Sequence, residues 1–357
     1  MADPTFEPTR MRPIPFSLAL AVAMSQTAPA QTALRLEPAG QFGCEDCTGA
    51  LQFSSIGDVA LADDRIIWVG DGQEPRVRAF TLDGKPVAAF GRKGRGPGEI
   101  QGIHRLFPDS GRGVRLVDML DHRVTHFDSG GKALSIVRLP GFPFDASASG
   151  THDVYLLFSQ FRPGTSTIRV VRAGADSLTP VRGPIADFPR PDDPAELRSL
   201  AASPAGDVAV GDGEAEYRIR VYRRDGTVHD ITRAIPRARR TEAEKDAMRS
   251  RMGAVAGRMR AELGASGRRA GTPSVPDEKP HFHGTAFRFD PRGRLWVRTG
   301  RGNEKQAVFD VFDPSFAYLG EVIVPGTVGT FVPGRDLLVT SGETEAGFPV
   351  VKVWRTR

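Results

Sequence analysis

A unit of four short apolar segments repeats along most of this chain, and that repeat limits the fold more than any other feature. The clearest copy covers residues 57–90 and has the turn Asp83-Gly84 between its last two segments. The next copy keeps the same order and has its turn at Gly130-Gly131. Alternating segments of this length are typical of β-strands, and Asp-Gly favours a tight hairpin. The chain is therefore predicted to be all-β.

The spacing of the turns gives the number of units. Turn markers fall at residues 84, 130, 174, 226 and 313, and the last interval is long because residues 236–280 break the strand pattern. Without that insertion the period is about 46 residues, so the rest of the chain holds about six units. One such unit cannot bury both faces of its sheet, so neighbouring units stack around an axis. We expect residues 31–357 to form a six-bladed β-propeller with one helical insertion between blades four and five.

A ring of blades must also join its two ends. The sixth unit, which ends near residue 354, lacks a clear fourth strand, and an N-terminal strand at residues 32–38 can supply it. Such closure removes exposed strand edges, which otherwise promote aggregation. The predicted blades cover residues 51–100, 101–140, 141–185, 195–235, 281–325 and 326–357.

Three segments carry a family resemblance: Arg76-Val77-x-Ala79-Phe80-x-x-Asp83-Gly84, Phe90-Gly91-x-x-Gly94-x-Gly96-Pro97-Gly98-Glu99 and Arg123-Val124-x-x-Phe127-Asp128. They resemble the NHL-repeat type of six-bladed propeller, which has a TolB-like architecture. The resemblance is good over residues 56–128 and weaker in the later units. It implies a fold rather than a chemistry, because propellers of this group include binding scaffolds, lyases and lactonases.

The insertion at residues 236–280 has a helical signature. Thr241 followed by Glu244 is a capping box, and a stripe of apolar residues at helical spacing follows it. Residues 233–269 contain eleven Lys and Arg against four Asp and Glu, whereas the whole chain has a net charge of only +5. This basic segment could meet an anionic ligand, an acidic protein or a membrane surface. Alternatively, it is a solvated helix docked on the propeller rim by the stripe of Met248, Met252, Val255, Met259 and Leu263.

A second basic segment is the glycine-rich stretch at residues 91–98. It contains Arg92, Lys93 and Arg95, and its glycines permit close approach of the backbone to a ligand. If the resemblance holds, this stretch and the insertion both link the outer strand of one blade to the inner strand of the next, so they share one face of the ring. We expect that face, around the mouth of the central channel, to bind the ligand.

Two histidines suggest a different function. His104 and His283 each come at the start of a predicted innermost strand, from which side chains can reach the channel. The resemblance permits a zinc or calcium site there, because zinc lyases of this general fold use channel-lining histidines. A third ligand would be needed, and His281 qualifies only if its strand already runs at that position. Three aspartates that follow second strands, Asp71, Asp118 and Asp212, are interpreted as scaffold residues that stabilise turns.

The N-terminal region points to export. Residues 1–30 have the pattern of a signal peptide, with a basic start, an apolar stretch over residues 14–24 and Ala28-Pro29-Ala30 as the cleavage site. Acidic residues precede the basic start, so translation could begin at Met11 instead of Met1. No other stretch is long and apolar enough to span a membrane. Cys44 and Cys47 are the two cysteines of the chain, and in an exported protein they are predicted to form a disulfide.

The sequence therefore predicts a periplasmic or secreted binding scaffold without a cofactor. The partner is an anionic small molecule or an envelope protein, and no nucleic acid is expected, because the basic insertion has no interleaved aromatic residues. The alternative is a lyase or hydrolase that depends on zinc or calcium bound by His104 and His283. No signature of a P-loop or of a Ser-His-Asp site is present.

Overall fold

Short alternating segments form antiparallel sheets of four strands through most of the chain, as their repeat predicts. The computed structural model describes residues 34–109, 113–141, 143–149, 153–162, 165–173, 178–180, 187–189, 199–211, 216–263 and 274–357. The predicted signal peptide, the turn at Gly174 and Asp212 lie outside these residues.

The strands are numbered in chain order, and each sheet after β1 (Leu36–Phe42) is one blade. Blade one holds β2 (Ile56–Ala62), β3 (Ile66–Asp71), β4 (Arg76–Thr81) and β5 (Pro86–Phe90). Blade two holds β6 (Ile103–Asp109), β7 (Gly113–Asp118), β8 (Arg123–Phe127) and β9 (Ala133–Arg138). Blade three holds β10 (Pro143–Ala148), β11 (Val154–Arg162), β12 (Thr165–Ala173), β13 (Leu178–Pro180) and β14 (Asp187–Pro189).

Blade four holds β15 (Ser199–Ala202), β16 (Val208–Gly211), β17 (Tyr217–Tyr222) and β18 (Val228–Arg233). The helix α1 (Glu242–Leu263) follows it. Blade five holds β19 (Phe282–Phe289), β20 (Leu295–Asn303), β21 (Gln306–Phe312) and β22 (Tyr318–Pro325). Blade six holds β23 (Phe331–Pro333), β24 (Leu337–Glu343) and β25 (Pro349–Thr356), together with β1.

The six sheets stand around an axis, with the first strand of each blade innermost. In blades one, two, four and five the sheet order is the chain order, whereas in blade three β13 and β14 both pair with β12. The predicted six-bladed propeller, with a helical insertion between blades four and five, is confirmed.

The ring is closed by the N-terminal strand, which pairs with the C-terminal one. The order in blade six is β1-β25-β24-β23, and Leu36 faces Thr356 in the antiparallel register. This strand was predicted at residues 32–38, whereas the paired strand is Leu36–Phe42 and thus begins later in the sequence. Its register shifts between Pro38 and Gly40. A bulge of this kind hides the alternation that identifies a strand in a sequence.

Apolar side chains fill the space between neighbouring blades. One buried cluster joins Trp68 and Val77 of blade one to Leu116 and Phe127 of blade two. Burying side chains of this size contributes roughly 1.5–3 kcal/mol each.

The innermost strands are also linked by polar side chains near the axis. The carboxylate of Asp58 accepts hydrogen bonds from the Leu106 amide at 2.9 Å and from the Thr330 hydroxyl at 2.8 Å. Asp145 accepts one from the Leu200 amide at 3.0 Å. We call this set the axial belt: Asp58, Arg105, Asp145, Ser199 and Thr330, each of which bonds through its side chain to a neighbouring innermost strand.

The aspartates that follow second strands stabilise loops, as expected for scaffold residues. Asp71 accepts hydrogen bonds from the backbone amides of Ser54 and Gln73. Asp118 does the same for the amides of Gln101 and Leu120. Each carboxylate therefore ties the loop that enters a blade to the turn that follows the second strand.

Helix α1 begins as predicted, and its apolar stripe is described only in its first half. The Thr241 amide donates to Glu244 Oε2 at 2.8 Å, and the Glu244 amide donates to Thr241 Oγ1 at 3.2 Å, which completes the capping box. Met248 and Met252 are half-buried and belong to no apolar cluster of the described residues. The side chains of Val255, Met259 and Leu263 lie outside the described set, so docking of the helix by its methionine stripe stays a prediction.

Candidate functional site

The propeller has two faces that differ in the loops they carry. The links between blades lie on one face, which we call the crossover face; it includes residues 91–102, 234–263 and 274–281. The turns between first and second strands lie on the other face, which we call the hairpin face. It includes residues 63–65, 290–294 and 334–336. Each innermost strand begins at the crossover face and ends at the hairpin face.

The loop at residues 91–98 is held in one shape by its own contacts. The carboxylate of Glu99 accepts hydrogen bonds from Arg92 Nε at 3.0 Å and from the Gly96 amide at 2.8 Å. The bond from Gly96, helped by the charge of Arg92, keeps the pKa of Glu99 below its usual range. A side chain at Gly94 would overlap this carboxylate, which explains why glycine is needed there.

A buried arginine supports the same loop from below. Arg123 is 1% exposed, and its guanidinium donates to the carbonyl of Arg95 at 3.0 Å and to that of Glu99 at 2.5 Å. The loop is thus preorganised by blade two. Its three basic side chains stay in solvent: Arg92 is 80% exposed even though it pairs with Glu99, and Lys93 and Arg95 are exposed as well.

The two ends of the insertion are tied together at its base. The Arg240 amide donates to the Asp277 carbonyl, and the Lys279 amide donates to the Ala238 carbonyl, both at 2.7 Å. The buried Lys279 ammonium contacts Glu244 Oε1 at 2.5 Å and the Gly302 carbonyl at 2.9 Å. The start of α1 is therefore fastened to blade five by a polar anchor.

Many of the basic groups in the described part of the insertion have acidic partners. Lys245 pairs with Asp277 at 2.5 Å and Arg237 pairs with Glu278. At the root of the insertion, Arg233 pairs with the buried Asp310 at 2.7 Å. The local positive charge is thus lower than the sequence count indicates.

Arg105 joins three blades at the axis. Its guanidinium contacts Asp58 Oδ1 at 3.2 Å in blade one and Asp145 Oδ1 at 2.9 Å in blade three. All three side chains are at most 4% exposed. Both carboxylates also accept bonds from backbone amides, so their acceptor capacity is used within the axial belt.

His104 lies next to this ion-pair network, on the innermost strand as predicted. It is the second residue of β6, where the register with β7 shifts, and its buried Nε2 has no hydrogen-bond partner among the described residues. Burial, followed by the nearby charge of Arg105, lowers the pKa of His104 to about 4. The imidazole is therefore neutral at pH 7.

His283 is the second residue of β19, and its side chain is outside the described set. Blades two and five stand on opposite sides of the ring, so the two histidines start from opposite walls. His281 precedes β19 and lies with its ring centroid 5.8 Å from that of Tyr217. No group of three or more metal-binding side chains occurs among the described residues.

A cavity of about 410 Å³ opens at the hairpin face, away from the face expected to bind ligand. Residues of four blades contribute to it, from three innermost strands and from the turn after β19. Its walls include three prolines, and Asp63, Asp64 and Arg335 supply charged groups. The lining prolines are Pro108, Pro291 and Pro333.

Deeper along the innermost strand of blade five lies Arg288, a residue that sequence reasoning missed. It stands in the run Phe287-Arg288-Phe289, and this charge between two aromatic residues of an innermost strand was the available signal. Burial, followed by the charge of Arg105, lowers the pKa of Arg288 to about 10.

The Cys44 and Cys47 sulfur atoms are bonded to each other, with Cα atoms 5.2 Å apart. No helix in the described part of the chain is long and apolar enough to cross a membrane.

No protein-family profile matches the chain, and no curated protein matches it in sequence. Among solved structures, a member of the DUF4221 family from Bacteroides vulgatus aligns with a TM-score of 0.53 at 10% identity, over 92% of this chain and 99% of its own. A Bacteroides fragilis protein assigned as exported aligns with a TM-score of 0.52 at 11% identity, over 93% and 97%. A gluconolactonase of Xanthomonas campestris aligns with a TM-score of 0.50 at 16% identity, over 86% and 87%. These similarities show the propeller fold alone, and membership of the NHL-repeat family stays a prediction.

Proposed function

We propose that this protein is an exported binding scaffold whose crossover face binds an anionic partner. The observation that carries the proposal is the rigid loop at residues 91–98, which presents Arg92, Lys93 and Arg95 to solvent. A loop already fixed in shape loses little conformational entropy when it binds. The signal-peptide pattern and the Cys44–Cys47 disulfide support an oxidising location outside the cytoplasm.

The contacts at the axis favour binding over catalysis. The charged groups that a reaction could use there, Asp58, Arg105 and Asp145, are bonded to one another and to backbone amides. Such groups hold blades together and are not available to a substrate. Within the described part of the chain, exposed charge without an ion-pair partner is instead found on the crossover face, at Lys93 and Arg95.

The partner class follows from the charge of this loop. An anionic small molecule or the acidic surface of an envelope protein would pair with three cationic side chains, and association would weaken as salt rises.

The proposal is tested with poly-L-glutamate as an anionic probe. The double variant Lys93→Glu/Arg95→Glu should weaken binding at low salt at least tenfold, because both cations are lost without disturbing Arg123 or Glu99. The matched control is Lys85→Glu/Lys132→Glu, which makes the same charge change at exposed turns of the hairpin face. An equal loss of affinity for poly-L-glutamate in both double variants would show that the binding depends on net charge alone. That result would refute a site on the crossover face.

A second candidate is a zinc or calcium enzyme that uses His104 and His283. The observation in its favour is the neutral imidazole of His104, whose Nε2 lacks a partner. The nearby guanidinium groups of Arg105 and Arg288 weaken it, because they repel a cation. Elemental analysis of the purified protein distinguishes the two proposals. If the protein contains stoichiometric metal that is lost in His104→Ala, the enzyme proposal replaces the scaffold proposal.

A further inference from the structure

Arg288 is a half-buried cation that has no ionic partner among the described residues. Its Nη1 donates to the carbonyl of Phe287 at 2.7 Å, and its guanidinium carbon lies 5.5 Å from the centre of the Phe331 ring. None of the ion pairs among the described residues includes Arg288. A buried guanidinium normally has a carboxylate partner, because leaving the charge unpaired costs several kcal/mol.

The neighbouring carboxylates are already engaged. Asp58 and Asp145 are close enough for their charge to favour protonated Arg288. Their oxygen atoms, however, accept hydrogen bonds from Arg105, from backbone amides and from the Thr330 hydroxyl. The carboxylates therefore attract Arg288 without contacting it, and among the described residues no side chain accepts a hydrogen bond from its guanidinium.

Arg288 is not one of the residues that line the cavity at the hairpin face, but its position along β19 places it just below them. It lies two residues beyond Ala286, whose amide donates to Ser199 of the axial belt, and three before Pro291, which lines the cavity. Phe331, which packs against the guanidinium, is likewise two residues before the lining Pro333. The half-buried Arg288 thus lies between the axial belt and an opening to solvent.

We propose that this cavity binds a small organic carboxylate whose anionic group pairs with Arg288. A guanidinium matches a carboxylate in geometry, since two parallel hydrogen bonds can form. Leu61, Ala62 and the three prolines offer an apolar surface to the body of the ligand. Asp63 and Asp64 at the rim repel polyanions, which makes a compact ligand with one negative charge the best fit.

This site is independent of the proposed function, because it lies on the opposite face and prefers a different kind of anion. The probe is benzoate, which has one carboxylate and an apolar ring, and benzamide is its neutral counterpart of the same shape. Calorimetry should show that benzoate binds at least tenfold more tightly than benzamide. Equal affinities, or no binding of benzoate, would overturn the proposal.

Arg288→Met provides the second test. It should abolish benzoate binding and raise the melting temperature of the ligand-free protein, because it removes a half-buried charge that has no carboxylate partner among the described residues. Retained benzoate binding in this variant would overturn the proposal, as would a lower melting temperature. Arg220→Met is the matched control: this exposed arginine pairs with Asp230, and its removal should leave benzoate binding unchanged.

Ala62→Trp keeps the test decisive if Arg288→Met does not fold. This substitution fills the lined space without touching the guanidinium, so benzoate affinity should fall at least tenfold while poly-L-glutamate binding is kept. Unchanged benzoate affinity in Ala62→Trp would place the anion elsewhere and overturn the proposal.

Discussion

Arg105 stabilises the ring through its two buried ion pairs, and its removal should strongly destabilise the protein. Arg105→Met leaves Asp58 and Asp145 without their cation at positions that are at most 3% exposed. Breaking a buried pair by removing one partner typically costs about 3–5 kcal/mol. We expect a loss of that size in the free energy of unfolding, measured by urea titration.

The control for Arg105 is again Arg220→Met, which breaks an exposed ion pair with Asp230 at 2.8 Å. Exposed pairs contribute at most about 1 kcal/mol, so this variant should unfold at nearly the wild-type urea concentration. Similar losses in the two variants would show that burial of Arg105 adds nothing to its effect.

His104 should make the protein less stable in mild acid. Its pKa is about 4 in the folded protein, whereas an unfolded histidine titrates near 6.5. The stability is therefore complete above pH 6.5 and falls as the pH is lowered towards 4, because the unfolded chain takes up the proton first. The total loss should approach about 3 kcal/mol.

His104→Gln should flatten this dependence when unfolding is measured between pH 7 and pH 5, a range in which few carboxyl groups titrate. His281 also has a pKa lowered by burial, so it contributes in the same direction. The variant His281→Gln therefore measures its share. An unchanged slope in His104→Gln would mean that the folded imidazole accepts a proton freely.

At the level of secondary structure, the anchor of the insertion can be tested separately from the propeller. Lys279→Met removes the contacts of the ammonium with Glu244 and with the Gly302 carbonyl. A hydrogen bond to a charged group contributes about 1.5–3 kcal/mol, so amide exchange in the first turns of α1 should become roughly ten- to a hundredfold faster.

Lys245→Met is the comparison for this anchor, since its partners Glu242 and Asp277 are both exposed. Lys245→Met should accelerate amide exchange in α1 several times less than Lys279→Met does. Faster exchange throughout blades four and five in Lys279→Met would instead show that the lysine stabilises the whole ring.

Turns and helix ends were predicted correctly where interactions between residues close in sequence determine the structure. Asp83-Gly84 and the Thr241–Glu244 capping box gave correct turns and the correct helix start, because each depends on backbone bonds within a few residues. The position of His104 on an innermost strand was also predicted correctly, because the repeat of the blades locates that strand in the sequence. The anchor of the insertion could not be foreseen, since Lys279 meets Gly302 only after blade five has formed.

The candidate sites were less predictable than the blades. The basic loop at residues 91–98 could be recognised, but its support by Arg123 depends on a contact between distant segments. Arg288 and the cavity were missed because the free guanidinium is recognisable only once Asp58 and Asp145 are known to bind Arg105.

For the molecule as a whole, ring closure by β1 should be decisive for stability. A chain that begins at residue 43 lacks β1 and leaves β25 as an open edge. We expect this truncated protein to aggregate or to unfold at a clearly lower temperature, whereas a chain that begins at residue 34 should behave like the full one. Calorimetry and light scattering on both would check this, and matching transitions would show that β1 is dispensable.

The pairing of Leu36 with Thr356 also sets an order of events when the protein is made. β1 leaves the ribosome before any of the six blades is complete, and it must wait for its partner until blade six has been synthesised. A nascent chain therefore carries an unsatisfied strand at each end, and holding chaperones would matter most during that interval. Refolding from denaturant should accordingly be slow and limited by the meeting of the two chain ends.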